Sequence, residues 1–184
     1  MRSSTLENFR RKVLTELKYL RLPHDTEIEY ELRFGRKING KFTPELPDSV
    51  RVRLVEELDA LYTKHDERTQ NVMYANNIRK IVDKTTGSER LECKKVIKKI
   101  DWLLDGGLCL RFAISCEVKM NADIDIGDSI MIRNKDRAIY KLKSAEVHVT
   151  NVYSDSKSNY ELEIEYKDPK TMDLNIIERI LGYF

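Results

Sequence analysis

The stretch "TEIEYELRFG", Thr26 to Gly35, constrains this chain more than any other. Glu27, Glu29, Glu31 and Arg33 fall on one parity, and Ile28, Tyr30, Leu32 and Phe34 on the other. Successive side chains of a strand point to opposite faces, so one face is apolar and the other carries a row of carboxylates. Alternate residues of a strand lie roughly 6.7 Å apart. Two carboxylates at that spacing repel by about 2.5 kcal/mol at an effective dielectric near 20. A fold that keeps such a row must place something cationic opposite it.

The same parity test sorts other segments. In "CLRFAISCEVKM", Leu110, Phe112, Ile114, Cys116, Val118 and Met120 oppose Arg111, Ala113, Ser115, Glu117 and Lys119. In "NYELEIEYK", Tyr160, Leu162, Ile164 and Tyr166 oppose Glu161, Glu163 and Glu165. In "SIMIRNKDRAIY", Arg133, Lys135 and Arg137 share a face. In "RLECKKVIK", parity favours Lys94 over Lys95 as the partner of Glu92. The segment around Arg79 leaves its face open, because Arg79 groups with Ile81 and Asp83 while Lys80 groups with Ile78 and Val82. One glutamate ladder alone is ordinary half-buried β structure with a charged outer face. Two glutamate ladders and a triple cationic ladder in 184 residues ask for a shared polar interior.

Eight strand-like segments emerge, at about 27–34, 67–74, 76–83, 89–98, 108–120, 128–141, 144–152 and 159–166. Turn signals part several of them: "TTGS" at 85–88, "DGG" at 105–107, "DIGD" at 125–128 and "SDSKSN" at 154–159. "INGK" at 38–41 suggests a further small hairpin. Short links predict antiparallel neighbours, closed as a barrel or stacked as a sandwich. Three helices flank them: about Thr5 to Leu20, with a capping box at Ser4 and Glu7; about Ser49 to Tyr62, with Asp48 as N-cap; and one after "KDPKTMD", with Leu174, Ile177, Ile180 and Phe184 in line. The expected class is mainly β (α+β): a closed eight-stranded antiparallel barrel with about three flanking helices, as a single domain over 1–184.

Bulk properties exclude other classes. Hydrophobic residues make up 41% and charged residues 35%, unlike a disordered chain. The 33 basic and 31 acidic residues nearly cancel, so arrangement rather than net charge carries the information. No apolar run approaches the roughly 20 residues of a membrane span, and the first residues lack a signal-peptide core. Cys93, Cys109 and Cys116 have no metal-ligand spacing and read as reduced thiols of an intracellular protein; His24, His65 and His148 are scattered.

Inward-facing carboxylates call for a hard divalent cation, with Mg²⁺ or Mn²⁺ suiting oxygen ligands. Inward Arg and Lys rows call for a phosphate-rich anion. Together they equip a cavity for metal-dependent phosphate chemistry.

The motifs also resemble a family. "IEYELRFG" is similar to the first-strand motif of the metal-dependent RNA triphosphatases of fungi, protozoa and large DNA viruses, members of the triphosphate tunnel metalloenzymes. "LRFAISCE", "IRNKDR" and "YELEIEY" resemble three further motifs, in the family's order, from Glu27 to Tyr166. The small size looks most like the compact viral members. The resemblance implies hydrolysis of the γ-phosphate of triphosphate-ended RNA, the first step of mRNA capping, with nucleoside triphosphates also cleaved under manganese. It implies metal ligation by Glu29, Glu31 and Glu165, and water held by Glu117 and Glu163. Lys135 and Arg137 would contact the triphosphate, with Arg133, Arg33, Arg79 and Lys94 as further basic contacts. Glu161 would complete the last ladder, and Arg111 belongs to the strand that supplies Glu117. "AEVHVTNV" resembles the strand ending in a threonine, here Thr150. His148 and Glu146 replace the usual acidic and basic residues, and His148 reads as a polar lumen residue or a general base. A separate guanylyltransferase would be a partner, and the location intracellular, at the site of viral or cellular mRNA synthesis. Thiamine and inorganic triphosphatases and class IV adenylyl cyclases share related strands. A non-catalytic barrel gripping anionic polymer ends is the alternative outside enzymology.

Overall fold

A computed structural model describes residues 2–23, 26–121, 126–154 and 157–184, with the side chains of residues 2 and 3 left aside. His24 and parts of the turns at 125–128 and 154–159 lie outside the described residues. The elements run α1 (Arg2–Tyr19), β1 (Glu27–Ile38), β2 (Lys41–Pro44), α2 (Asp48–Leu61), β3 (Lys64–Met73), β4 (Ile78–Asp83), β5 (Glu89–Leu103), β6 (Leu108–Met120), β7 (Met131–Lys141), β8 (Ala145–Ser154), β9 (Lys157–Tyr166) and α3 (Leu174–Leu181).

Eight strands close on themselves in the order β1-β6-β5-β4-β3-β7-β8-β9, with β9 returning to β1. Every neighbouring pair is antiparallel. The expected barrel and strand set are therefore present. Sequence neighbours do not always pair, however: β6 lies between β1 and β5, and β7 between β3 and β8. β6 and β7, consecutive in the chain, are therefore not hairpin partners. The "INGK" turn makes the ninth strand, β2, with Asn39 and Gly40 at φ 49° and 76°, the left-handed pair that such two-residue turns require. Gly35 lets this hairpin fold over the barrel end, since a Cβ there would lie 2.2 Å from the Thr43 carbonyl oxygen.

One buried cluster lies outside the barrel. Leu6, Phe9 and Val13 of α1, Val50, Leu54 and Leu58 of α2, and Ile177 and Ile180 of α3 pack with the outward faces of β1, β6, β8 and β9. Leu32, Phe112, Val147 and Ile164 represent those faces. Strand alternation thus sends apolar side chains outward to the helices and charges inward. Among the described residues, none from β3 or β4 joins the cluster. Tyr140 of β7 anchors α2 through a 2.9 Å hydrogen bond from its hydroxyl to Asp59.

Some boundaries differ from the sequence reading. Helix α1 already includes Arg2, so Ser4 lies inside it rather than capping it, and Leu20 follows its end. Pro47, not Asp48, precedes α2; Asp48 instead accepts a 3.0 Å hydrogen bond from Arg51 Nε. Phe184 lies beyond α3 and stacks on Phe34 with ring centroids 6.2 Å apart. β4 starts only after a short 3₁₀ turn at Ala75–Asn77.

Candidate active site

Inward parity gathers charge into one cavity of about 200 Å³. β1 contributes Glu29, Glu31 and Arg33; β9 contributes Glu163 and Glu165; β7 contributes Lys135 and Arg137. Arg79 of β4, Lys94 of β5 and Glu117 of β6 complete the set found from sequence. Lys95 points away and is exposed. The cavity also holds residues that sequence reasoning missed: Glu67, Thr69 and Asn71 of β3, Ile81 of β4 and Arg90 of β5. In β3, polar residues fill both parities, so alternation gives no signal there.

The charges pair across strands. Arg33 Nε is hydrogen-bonded to Glu31, and its Nη2 lies 3.0 Å from Glu163 Oε1. Arg79 binds Glu92 and, at 2.7 Å, Glu117 Oε1. Lys94 binds Glu29 and lies 3.2 Å from the same Glu117 oxygen. Arg137 lies 3.2 Å from Glu67 and donates to the Thr150 hydroxyl at 3.3 Å. Arg133 and Glu161 pair at 3.0 Å beside the cavity without lining it. Arg111 is drawn off the cavity: a two-pronged bond to Asp101 (2.7 and 2.9 Å) holds it, and it stacks 4.3 Å over Phe42. A bulge between Val96 and Lys98 shifts the register and sets Asp101 opposite Arg111.

The carboxylates are unevenly settled. Burial, with Glu163 beside it, pushes Glu31 up to about 8. Burial acts in the same direction on Glu163, but Arg33 and a hydrogen bond from the protonated Glu31 hold it well below the usual range. The two therefore share one proton across the β1–β9 seam. Burial and the neighbouring Glu29 raise Glu165 to about 7. Burial tends to raise Glu117, yet Lys94 and Arg79 leave it lowered. Burial lowers Lys135 to about 8, with Arg137 and Arg133 adding and Glu163 opposing. His148 is 4% exposed and is lowered by burial and Arg137; its Nε2 lies 3.4 Å from Glu146 and its Nδ1 3.8 Å from Glu165.

Among the described residues, no three acidic, imidazole or thiol groups converge closely enough to hold a metal ion. The donor chemistry nevertheless fits a hard cation. Glu31 and Glu165 are register partners on adjacent strands, with Glu29 on the same wall; burial and repulsion from neighbouring carboxylates already drive protons onto Glu31 and Glu165. A cation at this wall would relieve that repulsion.

No family model and no curated protein matches the chain by sequence. Solved structures do match by shape. The Pct1 RNA triphosphatase of S. pombe, solved in complex with the Spt5 CTD, has a TM-score of 0.72 at 14% identity over 95% of this chain and 89% of its own. The RNA triphosphatase domain of a trifunctional mimivirus mRNA capping enzyme has a TM-score of 0.61 at 16% identity over 97% and 95%. A putative adenylyl cyclase from Hippeastrum, described as having a dominant triphosphatase activity, has a TM-score of 0.50 at 14% identity over 85% and 86%. The chain has the closed tunnel-barrel fold of these RNA triphosphatases, the fold expected of the triphosphate tunnel metalloenzymes.

Proposed function

We propose that the chain is a metal-dependent RNA 5′-triphosphatase, removing the γ-phosphate of triphosphate-ended RNA in the first step of mRNA capping. The carrying observation is the cavity itself: acidic β1 and β9 face it together with Lys94, Arg79, Lys135 and Arg137 from the other strands. That division suits a polyanion held on one side and a cation on the other. The likeness to RNA triphosphatase structures supports the same reading.

Glu29, Glu31 and Glu165 would hold Mg²⁺ or Mn²⁺, which when bound supplies charge neutralisation at phosphate oxygens and acidifies water. The chain's own groups do the remainder. Lys135 and Arg137 grip the phosphates, and Arg33 balances Glu31 and Glu163. Glu117 accepts both its cationic contacts on Oε1, leaving Oε2 to orient a water. Glu163 Oε1 has no aligned hydrogen bond despite its nearness to Arg33 and is the second candidate to hold that water. In-line attack then expels the product diphosphate end. No Ser or Cys nucleophile is needed. Glu161 fixes Arg133, and Thr150 and His148 brace the wall beside Arg137 and Glu165. The later capping steps would fall to a partner such as a separate guanylyltransferase.

A second reading, an inorganic, thiamine or nucleoside triphosphatase active with manganese, draws on one observation. Only Ile81 among the lining residues is apolar. The cavity is built for phosphate rather than for a base. Phosphate release from RNA labelled at its γ-phosphate, against tripolyphosphate, thiamine triphosphate and ATP with Mg²⁺ and Mn²⁺, separates the readings. Preference for RNA supports the first; no release from any of them would leave a barrel that merely binds anionic ends.

A further inference from the structure

The cations of the cavity differ in how they are engaged. Arg33, Arg79, Lys94 and Arg137 each hold a carboxylate. Further along the same β3–β7 pair, past Glu67 and Arg137, the situation changes. Lys135, Thr69 and Asn71 are 8%, 6% and 5% exposed, and all three line the cavity. No side-chain hydrogen bond or ion pair engages any of them among the described residues; Asn71 Oδ1, an acceptor that no anion completes, is fully buried, so what the carboxamide offers the cavity is its Nδ2 donor. Such groups cost free energy unless a ligand completes them. Thr69 is the register partner of Lys135, and Asn71 is its diagonal neighbour across the β3–β7 ladder. Alternate residues of paired strands put these side chains within reach of a single group. The barrel order sets β3 four strands from β1 in either direction, so this facet faces the carboxylate wall.

We infer that Thr69 and Asn71 of β3, with Lys135, form a preformed oxyanion subsite that receives a phosphoryl group of a triphosphate chain across from the β1–β9 carboxylates. The inference rests on the phosphohydrolase reading and deepens it, by adding two neutral donors to the substrate contacts. Hydroxyl and carboxamide donors add no charge, so they hold a phosphate without pulling another carboxylate into the cavity. Their ligand is the phosphate chain, whether it comes free or at the end of an RNA.

Binding of inorganic tripolyphosphate and of triphosphate-ended RNA is measured by calorimetry for the full chain and for Asn71→Ala, Asn71→Asp and Thr69→Val. Losing one hydrogen bond to a charged group weakens binding by about 10-fold or more. Asn71→Ala and Thr69→Val should each do so, equally for both ligands. Asn71→Asp, nearly the same shape, should weaken it further by facing the anion with a carboxylate. A merely structural Asn71 would lower the melting temperature of Asn71→Ala and leave affinity unchanged, and that result overturns the subsite while the phosphohydrolase reading stands. Weakening for RNA alone also overturns it, assigning Asn71 to the nucleoside. If the unaltered protein binds neither ligand, both readings fall together.

Discussion

The barrel has two unlike walls. β1 and β9 are covered outside by helices: Leu32, Leu162 and Ile164 are fully buried there, and Glu31 and Glu163 occupy the inside. β3 and β4 have no part in the core cluster; Arg68 of β3 is exposed, and the outer side chains of β4 are half-buried. The helix-backed wall is well packed outside and crowded inside with carboxylates that repel one another. The open wall carries Thr69, Asn71 and Arg79, and its lining carboxylate, Glu67, is paired with Arg137. The comparison teaches where stability and function reside: the outer face of the first wall provides packing free energy, and its inner face draws on it to hold charges that would not otherwise stay together.

The largest effect should come from the inner face of the covered wall. Glu31→Ala removes a buried carboxyl that shares its proton with Glu163 and bonds Arg33. Phosphate release should fall by about 1,000-fold, the scale of losing a preorganised electrostatic group. Melting temperature should hold or rise, because a costly buried acid is gone. An active, folded variant sinks the assignment of Glu31. Behind it, Ile164→Ala empties a fully buried site on the outer face of β9. Denaturant titration should show a loss of about 2–5 kcal/mol.

Legibility in the sequence followed the same division. β1, β6 and β9 could be read because their two faces meet different media, helix-packed apolar on one side and charged cavity on the other; alternation is the trace of that contrast. β3 was legible as a strand but not as part of the site. Glu67, Thr69 and Asn71 face the cavity while Arg68 and Gln70 face out, so both sides are polar and parity carries nothing. β4 misled in the other direction, since Ile81 is an apolar residue on the inner face. Lys99 and Asp101 of β5 could not be placed because the bulge after Val96 reverses the parity partway along the strand. The pairing of β6 with β1 depends on long-range closure, which no local pattern encodes.

Proton linkage sharpens the contrast further. Glu31 and Glu165 bind protons more tightly folded than unfolded, with values near 8 and 7 against 4.5. Their native forms hold extra protons between those limits, so stability falls as pH rises through them. Below about 6.5 His148, lowered by burial, works in the opposite sense, and above about 8 so does Lys135, which loses its proton early in the fold. Around pH 7, between those two opposing contributions, the glutamates therefore set the sign of the slope. Metal-free protein should lose melting temperature as pH rises there, and Glu165→Gln should flatten the slope. Added Mg²⁺ or Mn²⁺ should flatten it as well, if these carboxylates take the cation. A slope unchanged in Glu165→Gln contradicts the linkage.

The smallest effect tests the open wall, using the same residue type as the covered one. Ile132 stands on the outer face of β7, where it pairs with Val72 of β3 and is 47% exposed. No helix lies over it in the core cluster, so truncation opens no cavity. It removes only a partial cross-strand contact, with Val72 on the same uncovered surface. Ile132→Ala should change unfolding free energy by no more than about 0.5 kcal/mol, as surface substitutions do. Catalysis should not change, because the inner residues Arg133 and Lys135 keep their register. A loss as large as that of Ile164→Ala would mean that something covers this wall in solution, and the division between a packed wall and a free one would fail.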